Sequence, residues 1–379
     1  MTVTESLAGR PQVRDSIHYN PVSDLESLRG PWEALFREIS PRFFVHRWDW
    51  HKAARDHLLD DVTYHAFFRG GTPIAIIPLV EAWSGPGSGP QVLELPRHTE
   101  LVLKDALIHP DYQPPEKLTL LLERIRTSAD STADVVHFDA LSDRTTLAAT
   151  VAPDYPWARQ TRLEGTVRCL CATSGDLDRL SAKHFRNVDR LQRKAERDRG
   201  PLEIRTHRGA GCADQGLEVF SRIEDASWKG PEGTGTSISS SRGGSGFYSS
   251  ILARFGATGD ARVDVLYIDG APAASQMAVR CDRTWNLLKI AFDKAFTEVG
   301  PGNILLKAFI EEMAAEDQID EVSLVTAPSW AARWHMTWQP TYHVAVFNRT
   351  VIGRLLLLRH DTRSRLKRIL GRRTYSPDE

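Results

Sequence analysis

Two stretches of the chain repeat one order of apolar and polar positions. In the first, Thr63 to Phe68 alternates as a strand does, Gly70-Gly71 turns it, and TPIAIIPLV (72–80) returns. In the second, RVDVLYI (262–268) alternates more strictly, Asp269-Gly270 turns it, and APAASQMAV (271–279) returns. Alternation on both sides of Asp-Gly is a strong hairpin signal. The hairpins also align as Gly-Thr-Pro-Ile-Ala against Gly-Ala-Pro-Ala-Ala. After each comes an apolar strand and then a helical pattern: LVLKDALIHP (101–110) before PEKLTLLLERI (115–125), and TWNLLKIAFD (284–293) before NILLKAFIEEM (303–313). Hairpin, strand and helix twice over predict a duplicated α+β domain.

A chain of 379 residues exceeds one typical core, which agrees with a duplication. The join is expected around residues 141–162, where no period is sustained and two prolines interrupt. A second irregular stretch, KGPEGTGTSISSSRGGSG (229–246), is rich in Gly and Ser. A loop that long inside a compact domain is a lid or a flexible insertion.

Candidate chemistry begins at the two bends between strand and helix. The second carries Gly300-Pro301-Gly302. Its glycines let a ligand approach the backbone, and the unpaired amides and dipole of the following helix favour an anion such as phosphate. Taken alone the tripeptide is equally an ordinary turn. The first bend, HPDYQPPEK (109–117), has three prolines, which lack an N–H, and bulky Tyr112 in place of any glycine. The contrast predicts that only the second copy keeps a phosphate site.

Two segments are locally basic. In SAKHFRNVDRLQRKAERDRG (181–200), Phe185, Val188, Leu191 and Ala195 fall on one helical face, while Arg186, Arg190, Arg193, Lys194 and Arg197 gather on another. Such a face is solvated or meets an anionic ligand, cofactor phosphates or an RNA backbone. The C-terminal helical pattern from Val351 holds eight Arg and Lys against Asp361 alone over residues 351–373. It packs on its own protein, lies on an anionic membrane or docks on RNA.

The formal net charge is only −1, so any anion site must be local. No run approaches the roughly 18 apolar residues of a membrane span, and residues 1–20 lack the apolar core of a secretory signal. A cytoplasmic protein without integral membrane association is expected. Cys169, Cys171, Cys212 and Cys281 show neither CxxC spacing nor a histidine partner pattern, so neither a metal site nor a disulfide framework is expected.

The order of hairpin, strand, Gly-rich bend and helix resembles the GNAT acyltransferase core. The whole chain is similar to the two-lobed CelD-like (BioF2-like) acetyltransferase family, itself related to the Fem-type aminoacyltransferases. The resembling stretches are PWEALFREISPRFFVHRWDWHKAA (31–54), PIAIIPLV (73–80), KDALIHPD (104–111), LSAKHFRNVDRLQRKAE (180–196) and FDKAFTEVGPGNILLKAFIEE (292–312). The resemblance implies an α+β protein of tandem GNAT-like lobes, each a mixed twisted sheet flanked by helices. Residues 1–160 would form a degenerate lobe, 161–350 the acyl-CoA-binding lobe, and 351–379 a basic amphipathic helix and tail. It further implies an acyl-CoA co-substrate, usually acetyl-CoA. The phosphates would lie on the backbone of Val299, Gly300, Pro301, Gly302, Asn303 and Ile304. The pantetheine would lie along the strand edge at Ile290, Ala291 and Phe292. One stretch departs from the family: EVSLVTAPSWAARWHMTW (321–338) lacks the Gly and the Tyr-Lys pair that relatives show there, which touches the acceptor side.

The reaction so implied is attack of an amine, on a small molecule or a peptide, on the acyl thioester. Placement and backbone amides facing the oxyanion supply much of such catalysis. A general base helps, because an amine of pKa about 10 is protonated at neutral pH. Asp293, at the strand end, is the first candidate or is simply paired with Lys289 or Lys294. Glu224 and Asp225 follow, with Trp228 as a pocket wall, or they are a solvated helix end. His335, among Trp330, Trp334 and Trp338, is a base near neutral pH or part of an aromatic core, Trp334 and Trp338 sharing a face if the segment is helical. Two other functions remain open: an aminoacyl-tRNA-dependent transfer, suggested by the Arg-rich segment, and a non-catalytic scaffold.

Overall fold

The computed structural model describes residues 16–82, 89–127, 133–142, 145, 147, 156–170 and 174–369. Parts of the expected join, Cys171 and the tail 370–379 lie outside the described residues. The first lobe runs β1 (Ile17–Val22), α1 (Arg29–Glu38), α2 (Trp48–His57), β2 (Thr63–Arg69), β3 (Thr72–Ala82), β4 (Val92–Glu94), β5 (Leu107–Ile108), α3 (Pro115–Arg126) and β6 (Val135–Ser142). Then comes β7 (Ala158–Leu170). The second lobe runs α4 (Ala182–Arg199), β8 (Leu202–Arg208), α5 (Leu217–Asp225), α6 (Gly244–Gly256), β9 (Ala261–Ile268), β10 (Ala271–Cys281), β11 (Thr284–Phe292), α7 (Pro301–Ala314) and β12 (Glu321–Ser323). Strand β13 (Thr337–Phe347) and helix α8 (Val351–Ile369) close the chain.

Both hairpins form in the expected places. Tyr64 pairs Pro78 in the first and Val265 pairs Ser275 in the second. Asp269, at φ 49, and Gly270, at φ 75, make the turn, the positive pair that Asp-Gly supplies.

The sheet is continuous through both lobes, in the order β1-β2-β3-β4-β6-β13-β7-β12-β11-β10-β9-β8. Its centre is an exchange. Strand β7, which leaves the first lobe, pairs with β12 of the second, and β13, which leaves the second, pairs with β6 of the first. The two then pair antiparallel with each other, Trp338 opposite Val167 and Val346 opposite Ala158. Each lobe is therefore completed by a strand from beyond the other. A shared core adds to this: Trp50 of α2 meets Phe247 of α6 edge to face at 5.1 Å, amid buried Phe44, Ala53, Phe220 and Ile251.

The strand expected over 101–110 is present only as Leu107–Ile108, and the first lobe departs from its copy here. Strand β4 pairs with one half of β3 and β5 with the other, and the chain between them leaves the sheet. On its return Lys104 bridges to Leu141, its amide donates to Ala140 O at 3.2 Å, and its ammonium meets Asp139 at 2.9 Å. This contact stitches the excursion to β6, so the line between β4 and β6 is held closed. In the second lobe, among the described residues, no bridge of this kind joins β11 to β12 beyond Asn286.

Candidate functional site at the parting of two strands

Strand β11 follows β10 along its whole length, with Leu288 as the extra residue of a bulge between Met277 and Ala278. On its other edge it pairs in parallel with β12 only at Thr284–Asn286. Beyond that point the neighbouring chain turns away. Leu324 N donates to Val167 O at 2.8 Å, Val167 N to Thr326 O at 3.2 Å, and Val325 takes the left-handed φ of 61. Among the described residues, the edge of β11 facing away from β10 thus has no strand partner from Leu287 to Phe292. Ile290 O faces this opening, accepting from Lys229 Nζ at 2.8 Å. Ala291 is buried towards α5 and α6, whereas Ile290 and Phe292 pack towards α4 and α7.

Past the strand the chain makes a short 3-10 turn, Lys294–Val299, which the sequence pattern did not indicate. Asp293 caps it, its Oδ1 accepting from Ala295 N at 2.8 Å. Gly300 then takes φ 59 and ψ 51, a conformation that costs glycine little, and Pro301 opens α7 at the position where a missing N–H is harmless. Asn303 N and Ile304 N both donate to Gly300 O. Among the described residues no carbonyl accepts from Gly302. A Cβ added at Gly302 would meet Phe292 Cδ1 at 3.5 Å, an ordinary contact. The bend therefore presents an open helix start beside an open strand edge, and Val299 and Ile304 anchor it in the core.

A buried group of charges lines the same opening on the α5 and α6 side. Glu224, wholly buried, accepts from Ile238 N at 2.7 Å and from Lys229 Nζ at 3.3 Å. Lys289 meets Glu100 at 3.0 Å, and Tyr248 donates to the same carboxylate at 2.8 Å. Glu100 comes from the first lobe, on the excursion between β4 and β5. Burial alone would raise its carboxyl; Lys289 and the Tyr248 hydroxyl outweigh that and hold it below the usual carboxylate range. Burial, with Lys289 nearby, pushes the Lys229 ammonium below ordinary lysine against the pull of Glu224. Lys294 N lies 3.4 Å from Ala226 O, which brings the end of α5 against the bend. Trp228 next to it is 52% exposed, and Lys229 Nζ lies 5.8 Å from the centroid of its ring.

The stretch 229–246 is folded down on α5. Ser239 Oγ donates to Asp225 Oδ1, Ser237 and Ile238 are fully buried, and Thr236 N and Ser237 N donate to Lys229 O. Glu224 and Asp225 are its anchors, a role that the sequence pattern did not disclose.

On the opposite side of the sheet, α4 packs against α7 beside the bend. Leu191 Cδ1 would lie 3.1 Å from a Cβ at Gly300, and Lys194 Nζ lies 3.4 Å from Glu298 O. Arg199 pairs with Glu298, and Lys307 of α7 with Asp189 at 3.1 Å. Arg186, Arg190 and Arg193 are exposed. His335 is also on this side, exposed and left-handed at φ 57 after a 3-10 turn, Ser329–Trp334. A helix continuous through 338 is not formed. Trp334 is buried against His184 and Phe185, whereas Trp338 is on β13 and 41% exposed. Asp293, Glu224 and Asp225 thus gather with residues 290–304 around one opening, and His335 stands across the sheet from the carboxylates of α5.

Cys169, Cys212 and Cys281 are buried thiols outside any disulfide. Burial pushes the thiols of Cys212 and Cys281 up to about 11 and about 12, which suits packing and not nucleophilic attack. Among the described residues no group of three His, Cys, Asp or Glu is arranged to hold a metal. No described helix is long and apolar enough to cross a membrane.

Fold and opening together define a two-lobed mixed α/β protein whose sheet parts between two strands of the second lobe. Residues 182–334, from α4 to the turn before β13, match the acetyltransferase (GNAT) domain family. The fold is that of a GNAT-like protein of two lobes. No curated protein matches it by sequence. Among solved structures it is similar to FemX, with a TM-score of 0.60 and 11% identity over 90% of this chain and 99% of that one. It is also similar to L-PGS from Bacillus licheniformis, with a TM-score of 0.53 and 12% identity over 87% and 95%. At such identities the likeness is one of fold.

Proposed function

We propose that the chain is an N-acyltransferase that moves an acyl group, acetyl in the simplest case, from acyl-CoA to the amine of a small molecule or peptide. The observation that carries this is the parting of β11 from β12 after Asn286, directly before a left-handed Gly300 and the open start of α7. A long thioester with an anionic end fits that arrangement. The Ile290 to Phe292 edge would take its amide-bearing arm, and the amides from Val299 to Ile304, Gly302 foremost, its phosphates.

Asp293 is the proposed base for the amine, directly or through water. Its Oδ1 holds the cap, and the carboxylate sits where the strand edge ends. Glu224 and Asp225 would act by fixing Lys229 and the 229–246 segment at the acceptor mouth, with Trp228 as its wall. His335 is the alternative base from the α4 side.

Acetyl-CoA at a hundredfold excess over Kd should stabilise the protein by about 2.7 kcal/mol, read as a rise in Tm. Gly302→Val should abolish the rise while leaving the unliganded Tm nearly unchanged. No shift with any acyl-CoA overturns the proposal.

A second function has one specific support: Arg186, Arg190 and Arg193 lie exposed on the helix that borders the bend. An aminoacyl-tRNA donor would use them for its backbone. Salt-sensitive binding of charged tRNA, lost on replacing those three arginines, would favour it over acyl-CoA.

A further inference from the structure

Helix α8 has two apolar faces, and the described residues cover only one. On the inner face Leu356 and Leu357 pack against Val135, Ala345 and Phe347. Gly353 there backs onto Asn348 O, where a Cβ would lie at 2.3 Å, and Asp361 is fixed by Arg159 at 2.7 and 2.8 Å. The helix orientation is therefore set by its own contacts. That leaves Val351, Leu355 and Leu358 on the outer face, at 77, 60 and 64% exposure. Positions 351, 355, 358 and 362 fall on one line of a helix. Thr362, the last of them, satisfies its hydroxyl internally on Leu358 O at 2.8 Å.

Arginines border this line on both sides. Arg354 lies along one flank, and Arg359 and Arg363 along the other, all three exposed. Among the described residues, neither Arg359 nor Arg363 meets a carboxylate, and the helix's one acid, Asp361, is turned to Arg159. An apolar line between two cationic flanks is complementary to a surface with an oily interior and anionic headgroups. A second copy of the chain fits less well, since a two-fold pairing of this face would set arginine against arginine. A nucleic acid backbone would match the arginines and leave the leucines unpaired.

We infer that the outer face of α8 is a peripheral docking surface for an anionic lipid bilayer, with Val351, Leu355 and Leu358 entering the headgroup layer and Arg354, Arg359 and Arg363 held by lipid phosphates. This attachment is independent of which donor the strand opening takes.

The test is co-sedimentation of the full chain with vesicles of phosphatidylglycerol and phosphatidylcholine in equal parts, against vesicles of phosphatidylcholine alone. Binding is expected only to the anionic vesicles and should weaken as salt rises. Replacing Arg354, Arg359 and Arg363 together by Gln should weaken it on the order of a hundredfold. Leu355→Glu with Leu358→Glu should abolish it. All five positions are exposed, so Tm should stay within a degree or so of the parent, and acetyl-CoA binding should be unchanged. No binding to anionic vesicles overturns the inference. So does a dimer in lipid-free sedimentation that the leucine variant dissociates, or capture of RNA that the arginine variant releases.

Discussion

Asp293 carries two tasks with one carboxylate, and they can be separated. Its Oδ1 caps the turn after β11, which Asn does equally well. Only the ionised group can take a proton. Asp293→Asn should therefore leave Tm and acetyl-CoA affinity close to those of the parent and lower kcat by roughly a hundredfold or more, measured by thiol release at saturating donor. An unchanged kcat would move the base to His335 or to a group on the acceptor. The sequence put Asp293, Glu224 and Asp225 near the opening through their places before a bend and at a helix end. It could not reveal Glu100, nor that Lys289, read there as a possible partner of Asp293, pairs with Glu100 instead. Those meet across a chain distance of 189 residues, and nothing in LPRHTELVLKD distinguishes a glutamate that crosses between lobes from one in water.

The element that matters most is α7, and it is tied down at both ends. At its start Gly300 supplies the left-handed turn. Towards its end Glu312 reaches Arg262 of β9, which is 1% exposed and also bound by Asp264 at 2.7 Å. The same guanidinium lies over Phe309 at 4.9 Å. Arg262→Met would leave buried Asp264 without its cation and free Glu312, at a cost of about 3 to 5 kcal/mol. The loss should appear as a lower midpoint in urea unfolding; a midpoint within experimental error of the parent would contradict it. The hairpins, β11 and α7 were legible because each carries a local signal: alternation, Asp-Gly, or helical spacing after Gly-Pro-Gly. The broken strand β4/β5 was not, because LVLKDALIHP has the apolar content of a strand whether or not it pairs. Pairing is decided by Lys104, Asp139 and the Ala140 carbonyl, which are tertiary partners.

At the scale of the molecule the lobes cannot act as two independent copies, since each is completed by a strand from the other's end of the chain. The duplication could be read from the repeat, whereas the exchange could not: a period-two strand such as β7 or β13 fixes which face is buried and says nothing of which neighbour it joins. The joined body carries an acid-sensitive core. Burial pushes His51 down to about 3 and His65 to about 4. In the unfolded chain both take a proton near the ordinary pKa of about 6.5. Below that pH the unfolded state binds more protons, so stability falls as pH falls, by up to about 1.4 kcal/mol per pH unit for each histidine until its folded pKa is reached. Glu100, held low when folded, adds loss in the same direction only below the ordinary glutamate range. Tm should therefore drop steeply between about pH 6 and pH 4; a flat profile there would refute the assignment of both histidines as neutral in the folded protein.

The asymmetry of the lobes is also what a binding measurement sees. In the first lobe the β4–β6 line is stitched by Lys104 and the bend is filled by proline; in the second, β11 and β12 part and the bend opens on Gly302. Calorimetric titration of the full chain with acetyl-CoA should give one site per chain, and Gly302→Val should erase it without unfolding the protein. Two sites per chain, or one that survives Gly302→Val, would contradict the account.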